Sequence, residues 1–232
     1  MDAYKVSPIW VGYSDSLNLF FISFLAITLI LLANFAESDV TEIQDSFAKV
    51  LIETIGEEKL KKMDAEVLTD GTVRFNKPEN QFDVGSSKLK EQFKKDLSEF
   101  IPLYLRVMNL PQFKGKIKEI HIDGHTSAFW NQQTSERDAY FFNMRLSQDR
   151  TVNTLEYVLS NEAVRTEYEW YRRHIVSNGY SSSRPRVNNE SSSENQRVEF
   201  KVIIDDPRDP KQKPTAKKRK EWVVNIEEKN GN

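Results

Sequence analysis

Cysteine is absent from the 232-residue chain, and histidine occurs only 3 times. The lack of cysteine excludes disulfides, thiolate-bound zinc and a cysteine nucleophile, and so few histidines leave little for other metal chemistry. We therefore expect no cofactor and no metal site. Neither sign of charge dominates, since the formal net charge is -2, so we expect no nucleic-acid partner for the chain as a whole. The length excludes a large multidomain enzyme.

Charge is also missing from residues 17–35 near the N-terminus, although the chain as a whole is polar. An apolar run of about 19 residues is long enough to span a bilayer core. A cleaved signal peptide is disfavoured because only Lys5 precedes the run as a basic residue and residues 33–36 make a poor cleavage site. Acidic residues follow the run, so the positive-inside rule favours a cytoplasmic N-terminus. We assign residues 1–36 to this N-terminus and a transmembrane helix.

One acid interrupts the apolar character just before this run. If the helix starts at Ile9, Asp15 lies inside it. An ionisable residue within a membrane segment costs free energy on insertion, and such residues usually have a function. The alternative is an interfacial carboxylate near the positive end of the helix dipole. The residues alone leave both interpretations open.

An amphipathic pattern follows the apolar run. Val40, Ile43, Phe47 and Val50 fall on one face of a helix predicted over about residues 38–62. Two copies of such a face can pair as a coiled-coil dimer seam, and the alternative is one helix packed on its own domain; the pattern alone leaves both open. We assign residues 37–63 to this linker helix.

Strands and helices alternate through the rest of the chain. Asp70-Gly71 is a strong hairpin signal between two short strands. The pattern then predicts a helix over about 89–101, a strand over 117–124, a helix over 142–159, an apolar segment at 175–177 and a strand over 197–204. The predicted fold class is α+β, a single transmembrane helix followed by an α/β sandwich with helices on one sheet face, over residues 64–204. Residues 205–232 are predicted to be a flexible basic tail.

The N-terminal segment resembles the transmembrane segment of MotB-type stator subunits. The resemblance rests on Trp10, on the triplet at residues 13–15 (Tyr-Ser-Asp) and on the apolar helix that follows. It implies that Asp15 carries a translocated proton or sodium ion. It also implies a homodimer inside a ring of MotA-type multispan subunits, in a bacterial inner membrane with the C-terminal domain in the periplasm.

The C-terminal domain resembles the OmpA-like peptidoglycan-binding family. Three segments carry the resemblance: residues 120–126 (Ile-His-Ile-Asp-Gly-His-Thr), 142–150 (Phe-Asn-x2-Leu-Ser-x2-Arg) and 195–199 (Asn-Gln-Arg-Val-Glu). The resemblance implies that Arg150 grips a carboxylate of the peptidoglycan stem peptide, a task that suits the forked guanidinium. It also implies that Phe142, Asn143 and Leu146 stand at the mouth of the same pocket.

The chain departs from the family at the residue after Gly-His-Thr. Ser127 stands where the family has an acid that holds an ammonium group, and residues 128–141 are predicted to form an unusually long loop. Glu136 and Asp138 are candidate substitutes for that acid.

Alternatives to a stator are less well supported by the sequence. His121 and His125 have no third ligand at a fixed spacing, and no serine stands in a nucleophile-elbow motif, so we expect no enzyme activity. The short N-terminal arm and compact linker resemble the corresponding subunits of Zorya anti-phage defence motors. A flagellar stator and a passive membrane-to-wall anchor are the alternatives.

Overall fold

The computed structural model describes residues 8–205, apart from the side chains of residues 8–12, 14 and 33–39. The predicted basic tail, Lys5 and the side chain of Trp10 lie outside the described residues. The helices are α1 (Pro8–Ile55), α2 (Glu57–Lys62), α3 (Pro78–Gln81), α4 (Glu91–Met108), α5 (Glu136–Ser160) and α6 (Tyr168–His174). The strands are β1 (Ala65–Val67), β2 (Val73–Phe75), β3 (Ile117–His125), β4 (Ile175–Gly179) and β5 (Arg197–Ile204).

Helix α1 is a single 48-residue element, about 72 Å long at 1.5 Å per residue. Proline at the first helical position suits this start, since its missing N–H has no partner there. The window Asp15–Leu32 has a mean hydropathy of 2.1 and none of it is buried in the protein. The helix ends at Gly56, whose φ of 84° is a left-handed conformation that costs glycine little. Among the described residues there is thus one exposed helix of a length and composition that can cross a membrane.

The amphipathic part of α1 packs on the chain's own domain. Phe47 and Leu51 are fully buried and Ile55 nearly so, and all three belong to the main hydrophobic core. Val40 and Ile43 are partly buried against that core. Of the two alternatives for this face, the observed contacts match packing on its own domain, while dimerisation along α1 stays a prediction.

The five strands form one sheet in the order β1-β2-β5-β3-β4. All neighbours are antiparallel except β3 and β4, which are parallel. The predicted hairpin is confirmed, with the amide of Leu68 donating to the carbonyl of Thr72 at 2.8 Å. Gly71 has a φ of 80°, and an added Cβ would lie 2.8 Å from Cδ1 of Phe47. The turn therefore requires glycine both for its backbone conformation and for the close approach of α1.

Helices α4 and α5 cover the same face of the sheet, which carries the core. From α4, Phe100 meets Phe200 of β5 at a centroid distance of 5.2 Å, and Phe93 meets Phe75 of β2 at 5.4 Å. Helix α5 approaches β3 so closely that a Cβ on Gly124 would lie 2.7 Å from the carbonyl oxygen of Ser147. The predicted α+β fold class is confirmed.

The predicted start of the helix at residue 142 was wrong by two turns. Helix α5 begins at Glu136, where Ser135 caps it by accepting a hydrogen bond from the amide of Asp138 at 3.1 Å. The expected loop over 128–141 is correspondingly shorter. In this first stretch only Ala139 is buried, so the apolar periodicity that predicts helices is missing there. The charged stretch at 162–174 also folds, into a 3₁₀ helix (Glu162–Glu167) followed by α6.

Truncating Phe47 tests how firmly α1 is joined to the domain. We expect Phe47→Ala to lower the free energy of unfolding by about 3–5 kcal/mol, because it leaves a cavity among fully buried rings. The control Val152→Ala removes an exposed side chain from α5 and should change the free energy of unfolding by less than about 0.5 kcal/mol. Guanidinium unfolding of the detergent-solubilised chain measures both. Equal effects would contradict the packing of α1 in the core.

Candidate functional site

Arg150 lies on the buried side of α5 and is only 6% exposed. Its Nε donates to the carbonyl of Ser86 at 2.9 Å, and Nη2 donates to the carbonyl of Asp83 at 3.3 Å. The guanidinium lies over the ring of Phe82 with Cζ 4.7 Å from the centroid. These contacts fasten the loop after α3 to α5 and fix the orientation of the guanidinium.

The charge of Arg150 has no counter-charge. No carboxylate of the described chain forms an ion pair with it, and Nη1 makes no hydrogen bond there. Burial lowers the pKa of Arg150 to about 10, so the group stays cationic at neutral pH. A buried cation without a counter-charge is costly even when carbonyls accept some of its hydrogen bonds, and an incoming carboxylate would relieve that cost with charge-assisted hydrogen bonds.

The other predicted pocket residues are spread along α5. The buried Asn143 donates from Nδ2 to the carbonyl of Phe129 at 3.3 Å, which attaches the loop after β3 to the helix. Phe142 is 38% exposed, and its ring lies 5.3 Å from that of Trp130. Leu146 is half-buried between Asn143 and Arg150. The side chain of Arg150 makes its hydrogen bonds and its ring contact with residues 82–86 rather than with these three, so one shared pocket mouth stays a prediction.

The candidate substitutes for the family acid do not reach Arg150. Ser127 is buried, and its Oγ accepts from Nε2 of Gln196 at 3.4 Å. Asp138 accepts a hydrogen bond from the Ser135 hydroxyl at 2.7 Å, within the cap of α5. Along the helix, Glu136 and Asp138 lie about 21 Å and 18 Å from Arg150. Neither carboxylate can share a small ligand group with Arg150.

The sheet face opposite the core carries a row of polar residues that the sequence analysis did not find. The register aligns one residue from each strand: Glu66, Arg74, Glu199, Asp123 and Asn178. Arg74 reaches Glu66 at 3.1 Å and Glu199 at 2.7 Å, and Asn178 donates to Asp123 at 2.8 Å. Alternation along each strand was a signal for one polar face, but the alignment depends on pairings between strands far apart in sequence.

Glu199 is the electrostatic centre of this row. Arg197 donates to it from Nε at 2.7 Å, and Nε2 of His125 lies 3.7 Å away. Burial acts to raise the pKa of Glu199, but the nearby His125 and the hydrogen bonds from Arg197 and Arg74 outweigh it and hold the pKa well below its usual range. Burial is the main cause that lowers the pKa of His125, whose ring stacks on Tyr180 at 5.1 Å.

The three histidines have different surroundings. Both ring nitrogens of the buried His125 lack a hydrogen bond within the described residues, and the His174 ring stacks on Trp170. His121 Nε2 lies 2.8 Å from Glu119. Within residues 8–205, no group of three or more His, Cys, Asp or Glu side chains could hold a metal ion.

Asp15 stands at the first position of the apolar window of α1, with its side chain exposed. The hydroxyl of Thr28 donates to the carbonyl of Phe24 at 2.8 Å, so its hydrogen bond is made within the helix. No other element of the described chain encloses the window, since 0% of it is buried. Any low-dielectric surroundings for Asp15 therefore come from outside the described part of this chain.

Replacing Glu199 by glutamine tests the electrostatic row. We expect Glu199→Gln to destabilise the domain by about 3 kcal/mol at pH 7, because Arg74 and Arg197 lose their buried counter-charge. Since the folded pKa of Glu199 lies below the ordinary 4.5, its contribution is present above that pH and is lost as pH falls below it. The variant should therefore lose less stability than wild type between pH 5 and about pH 3.

Chemical unfolding at several pH values measures how steeply the free energy of unfolding falls between pH 5 and about pH 3. The matched control is Glu53→Gln, an exposed acid on α1, which should keep the wild-type acid dependence. If Glu199→Gln loses stability with falling pH as steeply as wild type, Glu199 is not the buried counter-charge of Arg74 and Arg197.

Comparisons with known proteins agree with the motifs. No protein-family model matches the chain. The chain is 39% identical over 134 residues to Zorya protein ZorB of Escherichia coli, a match that covers 56% of each chain. It thus spans about half the length of that relative. A MotB-like protein from Desulfovibrio vulgaris matches in structure with a TM-score of 0.54 and 19% identity, over 72% of this chain and 98% of the other. The predicted resemblance is confirmed: the chain is similar in sequence to ZorB, and its fold is that of a MotB-like protein.

Proposed function

We propose that the chain is the ion-conducting stator subunit of a membrane-embedded rotary motor that is anchored to peptidoglycan. The buried guanidinium of Arg150, which has no ion pair within residues 8–205, is the observation that carries the anchoring role. The exposed apolar window that begins with Asp15 supports the membrane role. One uninterrupted helix, α1, runs from this apolar window into the core of the domain that carries Arg150.

Anchoring uses the chemistry of a fixed arginine. Two backbone carbonyls and the Phe82 ring hold the guanidinium, so little side-chain entropy is lost when a ligand binds. The free Nη1 offers donors to a carboxylate of the peptidoglycan stem peptide. Selectivity for a diamino acid in that stem is not part of the proposal, because Ser127 replaces the family acid.

Ion transport uses the carboxylate of Asp15. In a low-dielectric and partly hydrated path, the charged form of a carboxylate is disfavoured, so it can bind a proton or a sodium ion and release it as its surroundings change. A lone helix cannot enclose such a path. The partner we propose is a MotA-type, ZorA-like multispan subunit that forms a ring around a homodimer of this chain.

The orientation follows from these roles. The wall-binding domain must lie in the periplasm, so α1 crosses the inner membrane once with its N-terminus in the cytoplasm. Ion flow past Asp15 would turn the ring around a dimer that the wall holds still. The work performed is transport coupled to torque.

Anti-phage defence is the biological role that we propose for this motor. The sequence similarity to Zorya protein ZorB favours it over motility. A flagellar stator is the second candidate, because the fold similarity to a MotB-like protein suits either machine.

Substitution of Arg150 tests the anchoring role. We expect Arg150→Ala to reduce cosedimentation of the detergent-solubilised chain with isolated peptidoglycan sacculi by about tenfold or more, because charge-assisted hydrogen bonds to the ligand are lost. Arg150→Lys keeps the charge but not the fork, so it should retain only part of the binding.

The matched control is Arg145→Ala, which removes an exposed arginine from the same helix and should leave cosedimentation unchanged. Thermal melts of all three variants show whether a loss of binding follows a loss of fold. If Arg150→Ala stays folded and still sediments like wild type, the proposed wall site is wrong.

A further inference from the structure

A cavity of about 510 Å³ lies between the loop after α3, the start of α4 and the second half of α5. Cavities of this size commonly hold small molecules. The buried Leu89 gives the cavity an apolar patch, and the other described lining residues are polar or charged. None of the site residues predicted from the sequence is among those that line it.

Hydrogen bonds fix the three segments around this cavity. Nδ2 of Asn153 donates to the carbonyl and to the hydroxyl oxygen of Ser87, at 2.8 Å and 3.2 Å, which joins the loop to α5. The hydroxyl of Tyr157 donates to the carbonyl of Lys94 at 2.9 Å, which joins α5 to α4. The loop and both helices therefore hold their positions before any ligand binds.

The side of the cavity formed by the loop and α4 offers hydrogen-bond donors. Oγ of Ser86 accepts from the amide of Lys88 at 3.1 Å, and Oγ of Ser87 also accepts a bond, so each hydroxyl proton stays available. Among residues 8–205, the ammonium of Lys88 forms neither a hydrogen bond nor an ion pair. The ammonium of Lys94 reaches Glu91 at 2.7 Å, which leaves its other N–H donors available. We call this the donor side.

The opposite side, formed by α5, offers acceptors. The exposed carboxylate of Glu156 has no ion pair in the described part of the chain. Oδ1 of Asn153 accepts no hydrogen bond there, because this amide bonds through its nitrogen. The hydroxyls of Tyr157 and Ser160 donate to backbone carbonyls and so present only lone pairs. We call this the acceptor side.

The spacing of the two sides suits a short ligand. Asn153 contacts Ser87 of the donor side, and Glu156 follows Asn153 after a rise of about 4.5 Å along α5. A zwitterion whose anionic group meets Lys88 and Ser87 and whose ammonium meets Glu156 would match both sides with charge-assisted hydrogen bonds. Its linker would pack on the apolar patch at Leu89. A ligand with one charge would match only one side.

The number of donors favours phosphate as the anionic group. A tetrahedral phosphate has more acceptor oxygens than a carboxylate, so it can engage both serine hydroxyls and both ammonium groups together.

We propose that this cavity binds a small zwitterion in which a short linker joins a phosphate ester to an ammonium, the chemistry of phosphoethanolamine. That chemistry occurs in free phosphate esters and in lipid headgroups. The site goes beyond the proposed function, because neither wall anchoring nor ion transport uses the side chains that line it.

Calorimetric titration of the full chain, in a non-ionic detergent and a phosphate-free buffer, tests the site. We expect phosphoethanolamine to bind about tenfold or more tightly than inorganic phosphate or ethanolamine alone, because only the zwitterion meets both sides. Lys88→Met and Glu156→Gln should each weaken phosphoethanolamine binding by about tenfold or more. The control Lys95→Met changes an exposed lysine of α4 outside the cavity and should bind like wild type.

Thermal melts show which variants keep their fold, and Ser87→Ala, which removes one donor, serves as a further variant with the same expected direction. Glycerophosphoethanolamine separates the two sources of the ligand. Binding as tight as that of phosphoethanolamine supports a lipid headgroup, and weaker binding supports a free phosphate ester. If inorganic phosphate binds as tightly as phosphoethanolamine, or if folded Glu156→Gln binds like wild type, the cavity is an anion site and the proposal is overturned. A lack of phosphoethanolamine binding also overturns it.

Discussion

The burial of Phe47 is the contact on which the rest of the architecture depends. Its ring makes edge contacts with Phe113 at 5.1 Å and Tyr104 at 6.1 Å, and it closes against the turn at Gly71. Phe47 also belongs to the helix that carries the apolar window, about 48 Å beyond Asp15. Because one helix serves both the candidate span and the domain core, a force on one is delivered to the other without a flexible joint in the described backbone.

The two faces of the sheet differ in what they carry: one is apolar and the other is polar. The inner face buries aromatic rings under α4 and α5 and supplies most of the apolar burial. The outer face carries the polar row centred on Glu199, whose charged and histidine partners come from three strands. Helix α5 lies over the inner face, fixed by the close approach at Gly124, and carries Arg150. The candidate binding residue is thus set on a helix that packs tightly on the sheet.

Much of the fold could be predicted from local patterns. The strand predicted over 197–204 coincides with β5, and the hairpin was marked by Asp70-Gly71, because alternation and turn chemistry are local signals. The start of α5 was missed because residues 136–141 bury almost nothing. The carbonyl partners of Arg150 and the polar row depend on contacts between residues far apart in sequence, which no local pattern encodes. The sequence therefore offered candidate site residues on α5, and the structure adds what surrounds them.

The central claim is that Asp15 at one end of α1 drives a machine held at the other end. The most direct measurement is phage plating efficiency in cells that carry the native operon, with swimming scored in the same strains. At matched protein levels, Asp15→Asn should abolish phage protection, while Asp45→Asn, on the same helix outside the apolar window, should not. Loss of swimming alone would make the chain a flagellar stator. Unchanged protection and swimming would contradict the account and leave a passive wall anchor.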